Sequence, residues 1–411
     1  MRTPTTRFDP ASARLYSPAD AEPGWLEVFN RFWFAPADPT PLGLIRICTG
    51  IIVLYMHLVY STGLQPYFGK NAWMDLKTAD QFRHEAPIIN APFDWTEVNE
   101  QANKPLDDPK AQDARKQYAK TWDIDPVTTY HQGSYLWSLW FHITDPTWMT
   151  IVAVAMLVVM VMFTLGFCTR VTSVLTWMAA MCFIQRNWTV LYGVDSILNV
   201  LLIYLMISPC AAALSVDRWL SRWWTARRTG QKLSPAPPPA PTTWANFIIR
   251  LMQIHFCLIY LASGTSKLQG TAWWNGTALW ACLANYEFAP LHLAVYSKLV
   301  VWLSQVHWLW ELVLSSSAVF TLLLELGFPF LVWNRRLRPY MMCGAVMLHT
   351  GIAVIMGLGT FSLMMLCLLL AFVPGEAIRR AMRLSVDWLR GKDLHADPFM
   401  APATEMALQR R

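Results

Sequence analysis

Charge is what this sequence is short of. Only 15 % of its 411 residues are Asp, Glu, Lys or Arg, against 55 % hydrophobic, whereas a water-soluble globular protein carries about a quarter charged residues. An ordinary soluble enzyme is thereby excluded. Paired cysteines are lacking too: Cys48, Cys168, Cys182, Cys210, Cys257, Cys282, Cys343 and Cys367 stand singly, mostly inside apolar stretches. They do not have the spacing of a zinc or redox site and are expected as buried thiols; no metal is expected. No nucleotide-binding loop, nucleophile elbow or His-Glu-x-x-His helix occurs. The N-terminus lacks the short apolar core and small-residue cleavage site of a removable signal, so an uncleaved first helix is expected. A net charge of +6 is too weak to imply nucleic acid, and none is expected as a partner.

Apolar runs of membrane-spanning length are what the sequence has instead. They fall at 42–60, 148–166, 171–185, 190–212, 245–263, 314–333, 339–356 and 359–376. The pattern predicts an all-α, polytopic integral membrane helix bundle of about eight spans, in contact with lipid. The range is seven to nine, because 171–185 is short and the Trp-rich stretch 295–313 is either a ninth span or a helix lying in the interface. Basic clusters set the orientation: Arg218, Arg222, Arg227, Arg228 and Lys232; Arg335, Arg336 and Arg338; and Arg379, Arg380, Arg383, Arg390 and Lys392. With eight spans and a cytoplasmic N-terminus, all three fall on the cytoplasmic side. The expected organisation is a cytoplasmic tail (1–24), a membrane domain (25–376) and a second cytoplasmic tail (377–411). Within the membrane domain, 61–147 carries twelve acidic against eight basic residues and many aromatics. That suggests outer-surface helices with a hydrophilic insertion near 96–126. The segment 215–243, with its proline run after Ser234, reads as an extended cytoplasmic linker.

Ionisable and polar residues at membrane depth are functional candidates by default. On the fifth span Asn246, Gln253, Tyr260 and Lys267 recur every seven residues, a spacing that returns to within about 20° on an α-helix. They form one polar stripe, which must face protein or water. Lys267 closes it in Ser263-Gly264-Thr265-Ser266-Lys267-Leu268, near the outer surface. Burial disfavours a charged ammonium, and the neutral amine can act as a base; the bland alternative is a lysine snorkelling to the headgroups. Glu325 and His349 lie deep in later spans, each with a structural and a functional reading. His255 is expected to pack structurally. Arg186, Asn187, Tyr192, Asp195 and Asn199 suggest a charge-paired turn between antiparallel helices, and Arg46 is expected to snorkel inward or pair with an acid.

The stretch from Gln253 to Gly276, with Ser263-Gly264-Thr265-Ser266-Lys267 and Trp274-Asn275-Gly276, resembles vitamin K-dependent γ-glutamyl carboxylase and its bacterial relatives, the HTTM membrane-domain family. Asp38-Pro39-Thr40-Pro41-Leu42 with Arg46 is similar to that family's first helix, and Gly166-Phe167-Cys168-Thr169-Arg170 to its second-to-third turn. Ser215-Val216-Asp217 is similar to the end of the fourth helix, and His349 and Gly359-Thr360-Phe361-Ser362 to the last two helices. Together the pieces cover roughly 25–375. The resemblance implies that Lys267 is the base that deprotonates reduced vitamin K or a menaquinol-type quinone. Dioxygen then forms the epoxide, and carbon dioxide adds to a Glu-like or small acid substrate, on a peptide or free. Gln253, Tyr260, Trp188, Asn187, Asp195, Glu325 and His349 would line the supporting pocket.

Two departures from the family pattern follow. Trp188 stands where animal members carry a histidine, and the chain runs only to 411, so the soluble domain that reads a propeptide is expected to be absent. The expected location is a bacterial cytoplasmic membrane. The competing classes are a non-catalytic lipid- or partner-binding membrane protein, and a small-molecule transporter, for which internal repeats would be expected.

Overall fold

The computed structural model describes residues 24–85, 136–234, 236–285 and 294–391, with the single positions 109 and 113. Its helices run, in order, α1 (Trp25–Phe34), α2 (Thr40–Thr62), α3 (Leu64–Phe68), α4 (Leu76–Glu85), α5 (Pro146–Leu165), α6 (Thr169–Arg186), α7 (Gly193–Ile207) and α8 (Val216–Thr229). Then follow α9 (Thr243–Leu268), α10 (Thr271–Trp274), α11 (Ala278–Leu283), α12 (Ala294–Gln305), α13 (His307–Leu331), α14 (Arg338–Ile355), α15 (Gly359–Leu369) and α16 (Gly375–Leu389). Among the described residues every regular element is helical, and the one β feature is an isolated antiparallel bridge between Ala37 and Thr242.

A helix occupies each of the eight expected stretches, yet among the described residues only α2, α5, α9 and α13 are both long and apolar enough to cross a membrane. A fifth joins them if α15 and α16, bent by 113°, count as one broken span. The boundaries shift for local reasons. The apolar run 190–212 breaks at Ser208, which is extended (ψ 160) because the following Pro209 disfavours helical backbone in its predecessor. The Trp-rich stretch 295–313 is divided at Val306 between α12 and the first turns of α13; α12, at 12 residues, is too short to be a ninth span. Large apolar side chains point outward along the long helices: Ile51, Tyr55 and Leu58 on α2, Val154, Val158 and Val161 on α5, Val319, Leu323 and Phe330 on α13. Such a continuous sleeve is unfavourable in water and marks a membrane protein.

One end of the bundle is fastened by helix caps. Asp38 accepts from the Thr40 backbone N–H (2.9 Å) and pairs with Arg379 of α16. Asp217 accepts from the Cys168 and Thr169 N–H groups (2.7 and 2.8 Å), satisfying the first donors of α6. Among the described residues no carboxylate bonds Arg46 directly. Its guanidinium donates to the Cys210 and Leu214 carbonyls (2.8 and 2.5 Å) and lies against Gly166, which has φ +72 and whose Cβ, if present, would sit 2.6 Å from Arg46 Nη1. Only glycine fits that turn. The three sequence pieces 38–46, 166–170 and 215–217 are thus one packed junction.

Beyond α2, residues 63–85 continue as α3 and α4, and Leu139–Phe141 forms a 3-10 turn; the expected insertion near 96–126 lies outside the described residues apart from positions 109 and 113. The linker after α8 is tied back onto it, Arg218 donating to the Pro237 carbonyl (2.7 Å) and Arg222 to that of Ser234 (2.5 Å). All eight cysteines are free thiols. Cys168 and Cys343 are exposed, not buried as expected, because Cys168 lies in the turn between two helices and Cys343 on an outer face of α14.

Candidate functional site

The four stripe residues of α9 turn inward together, and each finds a partner on a different element. Asn246 donates to the Phe32 carbonyl of α1 (2.8 Å) and Gln253 to the Ala371 carbonyl (2.8 Å). The Tyr260 hydroxyl meets His349 Nε2 of α14 at 3.0 Å. Lys267 reaches Glu325 of α13. A heptad spacing therefore lines up four contacts to four segments, which is how one helix ties the bundle together without exposing polar groups to lipid.

Lys267 and Glu325 form the most chemically loaded contact. The ammonium donates to both carboxylate oxygens (2.9 and 2.8 Å) and to Ser263 Oγ (2.5 Å), and Ser263 donates onward to Glu325 (3.2 Å). All three ammonium protons are thereby used. The direction of the side chain follows from helix geometry: Cα–Cβ bonds tilt toward the helix N-terminus, so a lysine in the last turn of α9 leans back over Ser263, into the bundle. It does not extend toward the headgroups as a snorkelling lysine would.

Gly264 makes the pairing possible, since a Cβ there would lie 2.9 Å from Leu326 Cδ2 and 3.2 Å from Glu325 Cβ; the two helices touch at that point. Glu325 lies five turns from the start of α13, about 27 Å at 1.5 Å per residue, and less than two turns before its end at Leu331, and it is buried there. Burial differs between the partners, with 21 % of the Lys267 side chain exposed and 8 % of Glu325. Access is from the lysine side, where Trp273 lies 5.4 Å from Nζ at its ring centroid.

About two turns back along α9 from Lys267, Tyr260 and His349 make a second polar layer walled by aromatic rings. Tyr260 packs on Phe256 (4.5 Å) and Phe328 (4.9 Å), and His349 on Phe361 (6.0 Å). Phe328 follows Glu325 by one turn, so the layers are contiguous. The second nitrogen of His349, Nδ1, is buried without a partner among the described residues.

Asn187 and Asp195, also expected there, bond elsewhere. Asn187 donates to the Tyr67 carbonyl (3.1 Å) and accepts from Thr189 (2.6 Å). Asp195 accepts from the Tyr192 backbone N–H (3.0 Å), capping its own helix. Trp188 opens the 3-10 turn Trp188–Val190. The expected charge-paired turn is absent: Arg186 donates to the Gly69 and Met74 carbonyls (2.9 and 3.1 Å), because Asp195 is already spent on its cap. Tyr192 does touch the deeper layer's surroundings, its hydroxyl bonding that of Thr360, next to Phe361. Asn199 accepts from Trp177 (2.7 Å), and His255 meets Tyr204 (3.1 Å).

Arg250 was not singled out by the stripe, although it lies four residues after Asn246 and three before Gln253, on the same face. It donates to the Phe32 carbonyl (3.1 Å) and to Gln253 (2.8 Å) and stacks over Phe32 at 4.4 Å. A lone charge inside an apolar run was the available signal. Among the described residues no group of three or more His, Cys, Asp or Glu side chains could hold a metal ion. Comparison of the chain with protein-family models, curated proteins and solved structures found no match.

Proposed function

We propose that the protein is a membrane-embedded acid–base catalyst of the vitamin K-dependent carboxylase-like, HTTM type, in which the Lys267–Glu325 pair takes the proton from a reduced quinone. The observation that carries this reading is the inward-facing, partly accessible ion pair of Lys267 and Glu325, two side chains able to exchange a proton. In that contact the ammonium already donates to both carboxylate oxygens, so a proton has a hydrogen-bonded path from one group to the other. A quinol ring covering the open face near Trp273 removes water and favours the neutral form. Glu325 then holds the lysine's proton and the free amine accepts that of the quinol hydroxyl. Dioxygen and carbon dioxide are the co-substrates, and a Glu-like or small acid the carboxyl acceptor. Gln253, Tyr260 and His349 support the stripe beneath, while Asn187 and Asp195 are left with structural roles.

The same reading takes each of the eight helical stretches as a span. It places the capped, arginine-rich end of the bundle and both termini in the cytoplasm of a bacterial cell, and Lys267 toward the opposite face. In a background with Cys168 and Cys343 replaced by serine, a membrane-impermeant thiol reagent then labels Trp274→Cys in intact cells and spares Gly230→Cys. Labelling of Gly230→Cys from outside overturns the orientation.

A second reading is favoured by the full use of the three ammonium protons: a non-catalytic lipid- or partner-binding protein in which the pair only locks α9 to α13. Turnover decides. With menaquinol or reduced vitamin K, bicarbonate and a Glu-containing peptide, the catalytic reading expects epoxide from wild type and none from Lys267→Arg, since a guanidinium does not release its proton. Equal turnover in both removes the base assignment, and no turnover with any quinol leaves the locking reading.

A further inference from the structure

Away from Lys267, at the opposite end of the 26-residue α9, a cleft of about 550 Å³ opens between α8 and the linker that folds back over it. Arg218, Ser221 and Arg222 line one side, Ala211 and Ala212 another, Pro237 and Ala240 the third. Asp217 also borders it, but its carboxylate is taken by the capping bonds to Cys168 and Thr169. The lining is therefore cationic on one wall and apolar on the others. Each guanidinium spends only part of its five donors on carbonyls, Arg218 on Ala212 and Pro237 and Arg222 on Ser234.

Burial, and then repulsion from Arg222, hold the Arg218 guanidinium below its ordinary pKa, and a bound anion would relieve that repulsion. The same helix carries Trp219 and Trp224, 51 % and 55 % exposed. Tryptophans beside arginines are the signature of a helix lying at the headgroup level of a bilayer.

We infer that this cleft binds the headgroup of an anionic phospholipid, the phosphate between Arg218 and Arg222 and the glycerol backbone on the alanine and proline wall, with the acyl chains leaving past Trp219 and Trp224. A zwitterionic lipid offers the same apolar body but cancels the charge that the two arginines select. The site depends only on the chain being a membrane protein and is independent of the chemistry at Lys267.

Native mass spectrometry of the full-length protein, exchanged into detergent with equal phosphatidylglycerol and phosphatidylcholine, tests it. One phosphatidylglycerol is expected to be retained at least tenfold over phosphatidylcholine. Arg222→Gln is expected to lose that preference, and so is Ser221→Glu, which leaves both arginines in place and fills the cleft with a carboxylate. Arg390→Gln, outside the cleft, is expected to keep it. Inorganic phosphate at the same concentration is expected to leave the retained lipid in place. Retention unchanged in both cleft variants, equal loss in Arg390→Gln, or displacement of the lipid by inorganic phosphate would each overturn the inference.

Discussion

Arg46 and Lys267 are both inward-facing cations, and they are held by opposite kinds of partner. Arg46, like Arg186 on α6, spends its guanidinium on backbone carbonyls. These are the groups that helix ends and turns leave without donors, so the arginine completes the fold of the backbone around it. A guanidinium has no proton to give at any accessible pH, and a carbonyl cannot take one. Lys267 faces a carboxylate instead, and either member of that pair can change its protonation state. The bundle thus uses arginine as a bracket on backbone carbonyls and, under the proposed function, lysine with glutamate where a proton moves.

The comparison can be broken first at the lysine. Lys267→Met strands a buried carboxylate and is expected to cost about 3 kcal/mol, read as a lowered thermal midpoint in detergent. The double variant Lys267→Met/Glu325→Leu is expected to regain most of that stability. Under the proposed function neither recovers turnover, with losses of at least about a hundredfold. A double variant as active as wild type would make the pair a lock like the arginines.

Arg46→Leu comes next, at about 2–3 kcal/mol, because one buried and one half-buried carbonyl lose their donor. Arg46→Lys is expected to recover only part, a single ammonium being unable to copy the splayed guanidinium contacts. Full recovery in urea titrations would show that charge alone matters there. Gly264→Val tests the helix contact beneath Glu325: with a Cβ already 2.9 Å from Leu326 Cδ2, overpacking of about 2 kcal/mol is expected. Asp217→Ala removes the cap of α6 for about 1 kcal/mol, visible as faster amide exchange at Thr169 and its neighbours and as no change near Lys267.

Much of this contrast was legible beforehand, and the gaps have physical causes. The heptad stripe on α9 fixed which side chains turn inward, because helical periodicity is a local property. Glu325 and Lys267 were each visible as costly residues in apolar runs, but their pairing joins positions 58 apart through the approach of two helices at Gly264. Periodicity carries no such information. Asp195 misled for the related reason that a carboxylate in a first helical turn satisfies its own helix before it reaches for a neighbouring arginine. For Arg46 two outcomes were open, snorkelling inward or pairing with an acid; it turns inward and bonds carbonyls, because the segment ending at Leu214 presents bare acceptors that sequence pattern does not display. The span count is the coarsest point: α6 and α14 are helical where expected but lack the length-averaged apolarity of the four longest helices, and apolar runs alone overstate how uniform the spans are.

The central claim, that Lys267 and Glu325 exchange a proton when a quinol covers them, is met most directly by difference infrared spectroscopy of the Glu325 side chain. The protein in lipid nanodiscs is recorded with and without menaquinol, and Glu325→Gln serves to assign the band. The account predicts that a protonated-carboxyl band appears on adding the quinol in wild type and is absent in Lys267→Arg, whose guanidinium keeps its proton. A Glu325 that stays carboxylate with the quinol bound would contradict it.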